Sequence, residues 1–238
     1  MLERHCTSLL RALIFDFDGV LVASEPLIFS LTKKMAAMES LEISEEEYYR
    51  DYLALDDRGI VERLYRSHGR TLDLARRDEL IAWKAREYAQ LIRDGLPPIP
   101  GAMEFVREAA AKYPLAIASG SLRSEIEHLL EKLGLRRAFQ VLATADDCEK
   151  SKPAPEVYLK ALRRLGELAD FAAAPLCPDE CLAIEDAPLG VVAAHAAGMK
   201  CLALAHSRPA EELRHADWVI QSFAEAELTS YSKSFENT

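Results

Sequence analysis

Cysteine is scarce in this sequence: there are five in 238 residues, an odd number at irregular spacing. They are Cys6, Cys148, Cys177, Cys181 and Cys201. Such a set does not indicate a disulfide framework, so we expect five thiols and a reducing, cytoplasmic location. Cys177 and Cys181 have no second pair of ligands at zinc-binding spacing, which favours buried thiols over a zinc site.

Long apolar runs are absent as well. No stretch of the sequence approaches the roughly 20 apolar residues that span a bilayer. Leu9 and Leu10 are followed at once by Arg11. The sequence therefore predicts neither a signal peptide nor a transmembrane helix, and we expect no membrane partner.

Positive charge is in short supply, with 29 Lys and Arg against 39 Asp and Glu and a formal net charge of −10. The field of such a molecule repels nucleic acid and acidic membrane surfaces, so no nucleic-acid partner is expected. An anionic substrate would have to be held by local positive groups. Half of the residues are hydrophobic, which is enough for a buried core.

Apolar segments alternate with amphipathic helical segments from residue 100 onward, a pattern typical of βαβ units that form a parallel sheet. With one apolar run near the start, they predict strands near residues 11–16, 115–119, 140–143, 181–185, 200–205 and 217–220. We expect helices between them that end at Gly134, Gly166 and Gly198. The predicted fold class is α/β, with a doubly wound, Rossmann-like core.

The segment from residue 25 to residue 95 has helical periodicity throughout and no strand signal. It includes a long charged helix over about residues 73–93. Prolines 97, 98 and 100 then interrupt the chain, as a hinge or linker would. We therefore predict an all-helical cap domain at residues 25–95, inserted into a core formed by residues 1–24 and 96–238.

Polar residues follow four of the predicted strands. They are Asp16 and Asp18 after the first, Ser119 and Gly120 after the second, Lys152 beyond the third, and Glu185 and Asp186 at the end of the fourth. Because right-handed crossovers bring the carboxyl ends of parallel strands to one edge, these side chains are expected to meet there. Asp16 and Asp18 alternate on a strand and suggest a metal and a reaction, although Asp-x-Asp-Gly is also a common exit from a strand.

The four motifs, in this order, resemble those of the haloacid dehalogenase superfamily, which consists largely of phosphatases and phosphomutases. The resemblance extends from about residue 11 to about residue 220. The sequence Asp-Gly-Val-Leu-Val at residues 18–22 and Ile-Glu-Asp-Ala-Pro-Leu-Gly at residues 184–190, together with the helical insertion, look like the branch that contains β-phosphoglucomutase and small sugar-phosphate phosphatases.

This resemblance implies separate roles for the two aspartates. Asp16 is the candidate nucleophile, because a carboxylate can divide hydrolysis into two displacements through an aspartyl-phosphate. Asp18 would protonate the departing alcohol and later deprotonate the attacking water.

Mg²⁺ is the implied cofactor, and it prefers oxygen ligands. Asp16, the backbone carbonyl of Asp18, and Asp186 would hold it, and in related proteins the acidic pair at this point serves the metal. Glu185 would act through water or from behind the ligands. The alternative for Glu185 and Asp186 is a helix N-cap before Pro188.

Phosphate binding is implied for the Ser119 hydroxyl, the backbone N–H of Gly120 and the Lys152 ammonium. The alternative for Ser119 is a helix N-cap, and the alternative for a lysine is a solvated surface position. Lys150 competes with Lys152, but only Lys152 lies in the Lys-Pro-x-Pro context that resembles the family motif.

Two positions differ from the mutase pattern. Ile28 occupies the place of a histidine in the first cap helix, and Asp57 aligns with an arginine that mutases use for the distal phosphate. Arg58, the next residue, is a candidate substrate contact; a surface salt bridge with Asp57 or Glu62 is at least as favoured.

We therefore predict a magnesium-dependent phosphatase that acts on a small phosphorylated metabolite, with a sugar phosphate as the favoured class, and that exists as a monomer or a small homo-oligomer. A β-phosphoglucomutase-type phosphomutase is the alternative. A catalytically silent phosphoester-binding relative is less favoured. A haloacid dehalogenase would need neither Asp18 nor a metal cluster.

Overall fold

A six-stranded parallel sheet lies at the centre of this computed structural model, which describes residues 9–206 and 208–236. The strands of this described part are β1 (Ala12–Phe15), β2 (Leu115–Ala118), β3 (Val141–Ala143), β4 (Cys181–Glu185), β5 (Lys200–Leu204) and β6 (Trp218–Ile220). All neighbouring pairs are parallel, in the order β3-β2-β1-β4-β5-β6. The predicted α/β class and all six predicted strands are confirmed.

The central strand β1 is apolar on both faces because helices cover both faces of the sheet. Leu13 and Phe15 belong to one hydrophobic cluster, whereas Ala12 and Ile14 belong to the cluster on the opposite face. All four side chains are fully buried. A strand buried on both sides is a continuous apolar run rather than an alternating one, which is the pattern that the sequence has here.

Five helices connect or flank the later strands: α5 (Ala102–Ala110), α6 (Arg123–Lys132), α7 (Glu156–Gly166), α8 (Pro188–Ala196) and α9 (Leu228–Glu236). Gly134 and Gly198 follow their helices with φ of 67° and 83°, as expected of C-terminal caps. Gly166 is different: it is the last residue of α7 and its φ is not positive. The helix ends at Gly166 as predicted, but the expected cap role is wrong, because Gly166 is the last helical residue and Glu167 is the cap.

The segment between β1 and β2 is helical, as predicted. It contains α1 (Glu25–Met38), α2 (Glu45–Asp51), α3 (Asp57–Ser67) and α4 (Leu74–Leu91), and none of residues 25–95 is in a strand. Helices α2, α3 and α4 begin after Ser44, Asp56 and Asp73, whose side chains each accept a backbone N–H of the first turn. We call residues 25–95 the helical insertion; its boundaries as a separate domain stay a prediction.

The strand order places the predicted motifs at a change of direction in the sheet. From β1 the chain moves outward through β2 to β3, and then returns to add β4, β5 and β6 on the other side of β1. The crevice at the carboxyl ends of strands at such a switch point is the usual ligand site of open α/β sheets. In this chain it lies between the loops that follow β1, β2 and β4.

The cysteines match the sequence prediction at three positions. Cys148, Cys181 and Cys201 are buried free thiols. Cys177 is disulfide-bonded, which corrects the expectation that all five are thiols; which cysteines a fold brings together is not encoded in their spacing. Cys6 lies outside the described residues. Among the described helices, none is long and apolar enough to cross a membrane.

Gly134 and Gly166 both lie at helix ends but differ in backbone conformation, so alanine substitutions there test the effect of conformation alone. An added Cβ would meet no atom within 4 Å at Gly134 or at Gly166, but only Gly134 has a positive φ. We expect Gly134→Ala to lower the free energy of unfolding by about 1–2 kcal/mol, the cost of the left-handed region for an L-residue. Gly166→Ala should leave it unchanged or raise it by about 0.4–1 kcal/mol. Urea unfolding of both variants checks this, and equal losses would contradict it.

Candidate active site

Four loops at the carboxyl edge of the sheet carry the predicted site residues. They place Asp16 and Asp18 after β1, Ser119 and Gly120 after β2, Lys152 between β3 and α7, and Glu185 and Asp186 at the end of β4. These loops meet because β1 pairs directly with both β2 and β4. Asp16, Ser119, Lys152, Glu185 and Asp186 are all at most 5% exposed.

Lys152 connects two of the acidic residues. Its Nζ lies 2.9 Å from Asp16 Oδ2 and 2.7 Å from Glu185 Oε1. The Tyr158 hydroxyl donates to the same Glu185 oxygen at 2.6 Å. The two carboxylates raise the pKa of Lys152 against the opposing effect of burial, so the ammonium stays charged. The structure brings Lys152 to this centre, whereas Lys150 is exposed.

An ion-pair network centred on Asp147 fixes the loop that carries Lys152. Asp147 Oδ1 lies 2.6 Å from Arg164 of α7, and Asp147 Oδ2 lies 2.8 Å from Arg123 of α6. The same carboxylate accepts the backbone N–H of Thr144 at 3.0 Å. Hydrogen bonds from Arg164 hold the pKa of Asp147 well below its usual range. The loop is therefore anchored to the two helices that flank it.

Asp16 and Asp18 line the same cavity but have different partners. Asp16 Oδ1 accepts the backbone N–H of Phe17 at 2.7 Å, and its Oδ2 contacts Lys152. Asp18 accepts hydroxyl hydrogen bonds from Ser24 and Ser121. Burial raises the pKa of Asp18, and these hydroxyls partly oppose that shift.

Ser119 is not the N-cap of the next helix, because α6 begins after Leu122. Its hydroxyl accepts the backbone N–H of Ser121 at 3.0 Å and lies 3.5 Å from Asp18 Oδ2. Gly120 lies directly under the helical insertion: a Cβ added there would be 3.3 Å from the Asp56 backbone. Glycine therefore permits the close approach at this position.

Three carboxylates form the candidate metal site. One oxygen from each of Asp16, Glu185 and Asp186 lies within 4.8 Å of the others, and all three residues are buried. Burial and the Glu185 charge raise the pKa of Asp16 to about 7, and burial and neighbouring carboxylates raise that of Asp186 well above its usual range. Asp186 Oδ2 is buried without a hydrogen-bond partner in the described structure. Such an orphaned oxygen in an acidic cluster fits a hard cation such as Mg²⁺.

Glycines make room for this cluster. A Cβ at Gly19, where φ is 71°, would lie 2.1 Å from Asp186 Oδ2, and a Cβ at Gly190 would lie 2.1 Å from Glu185. The alternative prediction that Asp186 caps α8 is wrong, because the N-cap of α8 is Ala187. The acidic pair therefore points into the site and not along the helix.

A cavity of about 420 Å³ lies above these residues, between the sheet edge and the helical insertion. The predicted substrate residue Arg58 lines it, but its salt bridge is with Asp56 at 2.9 Å, not with Asp57 or Glu62. Its guanidinium also donates to the backbone carbonyls of Ala145 and Cys148 across the cavity wall. Arg58 therefore joins the insertion to the sheet domain.

Sequence reasoning missed two ionisable residues of the cavity wall. Glu25 is buried at the start of α1, accepts from the Tyr48 hydroxyl at 3.3 Å, and has a pKa that burial raises to about 8. Lys84 of α4 is 6% exposed and pairs with Asp57. A signal for Lys84 was present in the sequence: it follows Leu80 by four residues and precedes Tyr88 by four, so it lies on the buried face of its helix.

Glu125 is a third ionisable group in the wall, in the first turn of α6. One of its oxygens accepts the Leu122 backbone N–H at 3.0 Å. Burial first, and then the nearby charge of Asp57, raise the pKa of Glu125 to about 8. Its carboxyl group therefore holds a proton at neutral pH more strongly than an ordinary glutamic acid does.

The fold and this set of residues define a family. A family model of haloacid dehalogenase-like hydrolases matches residues 10–198. The chain belongs to the haloacid dehalogenase-like hydrolases, as the sequence motifs predicted. Membership of the branch with phosphatases and β-phosphoglucomutases is confirmed by the relatives.

One curated relative is the fructose-1-phosphate phosphatase YqaB of Escherichia coli strain K12. It is 31% identical over 204 residues, which are 84% of this chain and 96% of that protein. A crystal structure of β-phosphoglucomutase from Clostridium difficile has a TM-score of 0.84 and covers 96% of this chain and 98% of its own. At 20% identity that likeness shows the fold alone.

A second solved structure is CbbY from Rhodobacter sphaeroides in complex with xylulose-(1,5)bisphosphate. It is 26% identical with a TM-score of 0.76, over 91% of this chain and 96% of that one. The family model and the phosphatase relatives show that the chain is an enzyme, a hydrolase that acts on phosphoric monoesters.

The pKa of Glu125 predicts a pH-dependent effect on stability. Because folding raises this pKa from 4.5 to about 8, its protonated form contributes stability that is complete below the unfolded pKa and is lost as pH rises through the folded pKa. Glu125→Gln stays neutral and keeps an acceptor for Leu122. We expect the melting temperature of Glu125→Gln, relative to the unmodified protein, to be higher at pH 9 than at pH 5.

Glu131→Gln, at an exposed position of the same helix, is the control and should show no such trend. Thermal unfolding at the two pH values measures both variants. A Glu125→Gln difference that is the same at pH 5 and pH 9 would contradict the assignment.

Proposed function

We propose that this enzyme is a magnesium-dependent phosphatase that hydrolyses a small phosphorylated metabolite, a sugar phosphate by preference, through an aspartyl-phosphate on Asp16. The observation that carries the proposal is the contact of Lys152 with both Asp16 and Glu185, beside an Asp186 oxygen that has no partner in the described structure. Phosphoryl transfer needs a nucleophile, positive charge around the phosphoryl oxygens and a proton donor. The site contains a residue suited to each task.

Asp16 is suited to be the nucleophile because both of its oxygens are oriented. The Phe17 N–H and Lys152 hold the carboxylate in place, which removes much of the entropic cost of attack. A bond forms between an Asp16 oxygen and phosphorus while the bond from phosphorus to the alcohol oxygen breaks. The electron pair of the broken bond stays on the departing oxygen.

Asp18 is the proposed proton donor for that oxygen. Its raised pKa, caused mainly by burial, favours the protonated form that a general acid needs. Once the alcohol has left, Asp18 accepts a proton from water, and the water oxygen displaces Asp16 from phosphorus. The second displacement restores the Asp16 carboxylate and releases phosphate.

Mg²⁺ would be held by Asp16, the backbone carbonyl of Asp18, and Asp186, with Glu185 behind them; when bound it offsets the negative charge of the phosphoryl oxygens. Ser119 and the Gly120 N–H are proposed to donate to the phosphoryl group, and Lys152 to neutralise it. In a protein of net charge −10, these local groups supply the positive charge and the hydrogen bonds that an anionic phosphoryl group needs.

The helical insertion is proposed to act as a cap that closes over this centre. Its Asp56 backbone lies against Gly120, its Gly59 lies against Ser151, and its Arg58 binds core carbonyls. Closure of this kind excludes water and completes a site. Ile28, where a mutase has a histidine, lines the cavity and supports the hydrolase over the phosphomutase. A cytoplasmic location and a monomeric or small homo-oligomeric state stay predictions.

Phosphate release and melting temperature together test the proposed function. With p-nitrophenyl phosphate or fructose 1-phosphate, the protein should release phosphate in the presence of Mg²⁺, and release should stop in excess EDTA.

Mg²⁺ at 100 times its Kd should stabilise the fold by about 2.7 kcal/mol. The melting temperature should rise by roughly 2–4 °C for each kcal/mol. Asp186→Asn should abolish the Mg²⁺-dependent rise, whereas Asp170→Asn, an exposed control, should keep it. No release from any monoester, or a full rise in Asp186→Asn, would contradict the proposal.

A second variant tests the role of Asp18. Asp18→Asn cannot transfer a proton, so we expect turnover to fall by about 10²–10⁴, the range for an acid–base group. The Mg²⁺-dependent melting shift should remain, because only the backbone carbonyl of this residue is proposed to bind the metal. Steady-state rates measure the loss; near-normal turnover would remove Asp18 from the mechanism.

A further inference from the structure

Lys84 is a buried cation of the helical insertion whose charge is felt at Asp18. It projects from α4 into the cavity, and its ammonium forms a close ion pair with Asp57 in the first turn of α3. The lysine side chain is 7% exposed and that of Asp57 is 22% exposed. Because the pair is shielded from water, the two charges offset each other strongly. Lys84 therefore presents little uncompensated positive charge to the cavity.

Arg58 is the other cation in the described lining of the cavity. Its Nε and Nη2 donate to Asp56 Oδ2 at 3.1 and 2.9 Å. The same Nη2 also donates to the Ala145 and Cys148 carbonyls. The Asp56 side chain is only 4% exposed, so drawing the guanidinium away toward a second phosphate would leave a buried carboxylate without its partner, which is costly.

Neutral polar groups are available in the same region. The Tyr88 hydroxyl is buried near Ser24 but has no hydrogen bond of normal geometry in the described structure. Glu125 uses one oxygen for the Leu122 N–H, and its other oxygen has no hydrogen bond to any described residue. A hydroxyl group can donate to one of these and accept from the other. An additional anion would meet the carboxylates of Asp57 and Asp78, which also line the cavity.

We propose that Asp57 determines substrate specificity: by pairing with Lys84 it removes the site for a second anion, so that the enzyme selects monoesters whose leaving alcohol carries hydroxyls and no second phosphate or carboxylate. This inference rests on the proposed function and names the substrate class of that same site. The CbbY relative is solved with a bisphosphate, so family membership does not decide this selection. The selection comes from the residues of this chain.

Fructose 1-phosphate and fructose 1,6-bisphosphate form a matched pair of substrates, because they differ by one phosphate at the far end of the sugar. We expect the unmodified enzyme to have a clearly higher kcat/KM for the monophosphate. Asp57→Asn keeps the shape of the side chain and leaves Lys84 without its counter-charge. This variant should lower the ratio of kcat/KM for the monophosphate to kcat/KM for the bisphosphate by about tenfold, which corresponds to about 1.4 kcal/mol.

Two further variants make the test specific. Asp78→Asn removes an acid of the same cavity that pairs with Arg77 and is well exposed, so the substrate ratio should not change. Adding Lys84→Gln to Asp57→Asn should return the ratio toward that of the unmodified enzyme, because the gain with bisphosphate depends on the freed ammonium. Turnover of p-nitrophenyl phosphate by each variant shows that the chemical site is intact.

The inference is overturned if the unmodified enzyme hydrolyses both fructose phosphates equally well, a result that needs no variant and stands even where Asp57→Asn does not fold. It is also overturned if Asp57→Asn keeps p-nitrophenyl phosphate turnover and an unchanged ratio. In both cases the proposed phosphatase function survives. Failure of the unmodified enzyme to hydrolyse any monoester defeats the proposed function, and the inference with it.

Discussion

The ion pairs of Lys152 with Asp16 and Glu185 join three loops at the carboxyl edge of the sheet. One ammonium group must serve a cluster of three buried carboxylates there, and it does not offset them: burial and mutual repulsion raise the pKa of Asp16 and Asp186. The positions of these groups are set by the pairing of β1 with β4 and by the glycines that leave room for the carboxylates. The site thus has a deficit of positive charge, which a divalent cation would offset. The deficit is the reason to expect a metal.

The helical insertion reaches this centre through a set of polar and backbone contacts. Arg58 reaches the loop after β3, and Gly59 and Asp56 lie against Ser151 and Gly120. The turn that makes these contacts also carries Asp57, which pairs with Lys84. The residues that contact the sheet domain and the residue proposed to govern substrate selection are therefore on one short segment. If the insertion closes as proposed, movement of this segment would also shift the proposed selectivity residue.

The sheet and the acidic motif could be predicted because their signals are local. A strand buried on both faces is an apolar run, and its carboxyl end is followed by the polar residues that the topology brings together. The wall of the cavity could not be predicted in the same way. Helical register shows that Lys84 lies on a buried face, but not that this face lines a cavity. Arg58 pairs with Asp56 and not with Asp57 because Asp56, as the N-cap of α3, turns its carboxylate toward the start of the helix. The disulfide of Cys177 depends on tertiary proximity, which the spacing of cysteines does not show.

The most direct test of the central claim is to trap the covalent intermediate. The protein would be mixed with a turning-over monoester and Mg²⁺, quenched in acid within the first turnovers, digested, and mapped by mass spectrometry. The account predicts one phosphorylated peptide, with the phosphoryl group on Asp16 and none in Asp16→Asn. Phosphate found on another residue, or full turnover by Asp16→Asn, would contradict it.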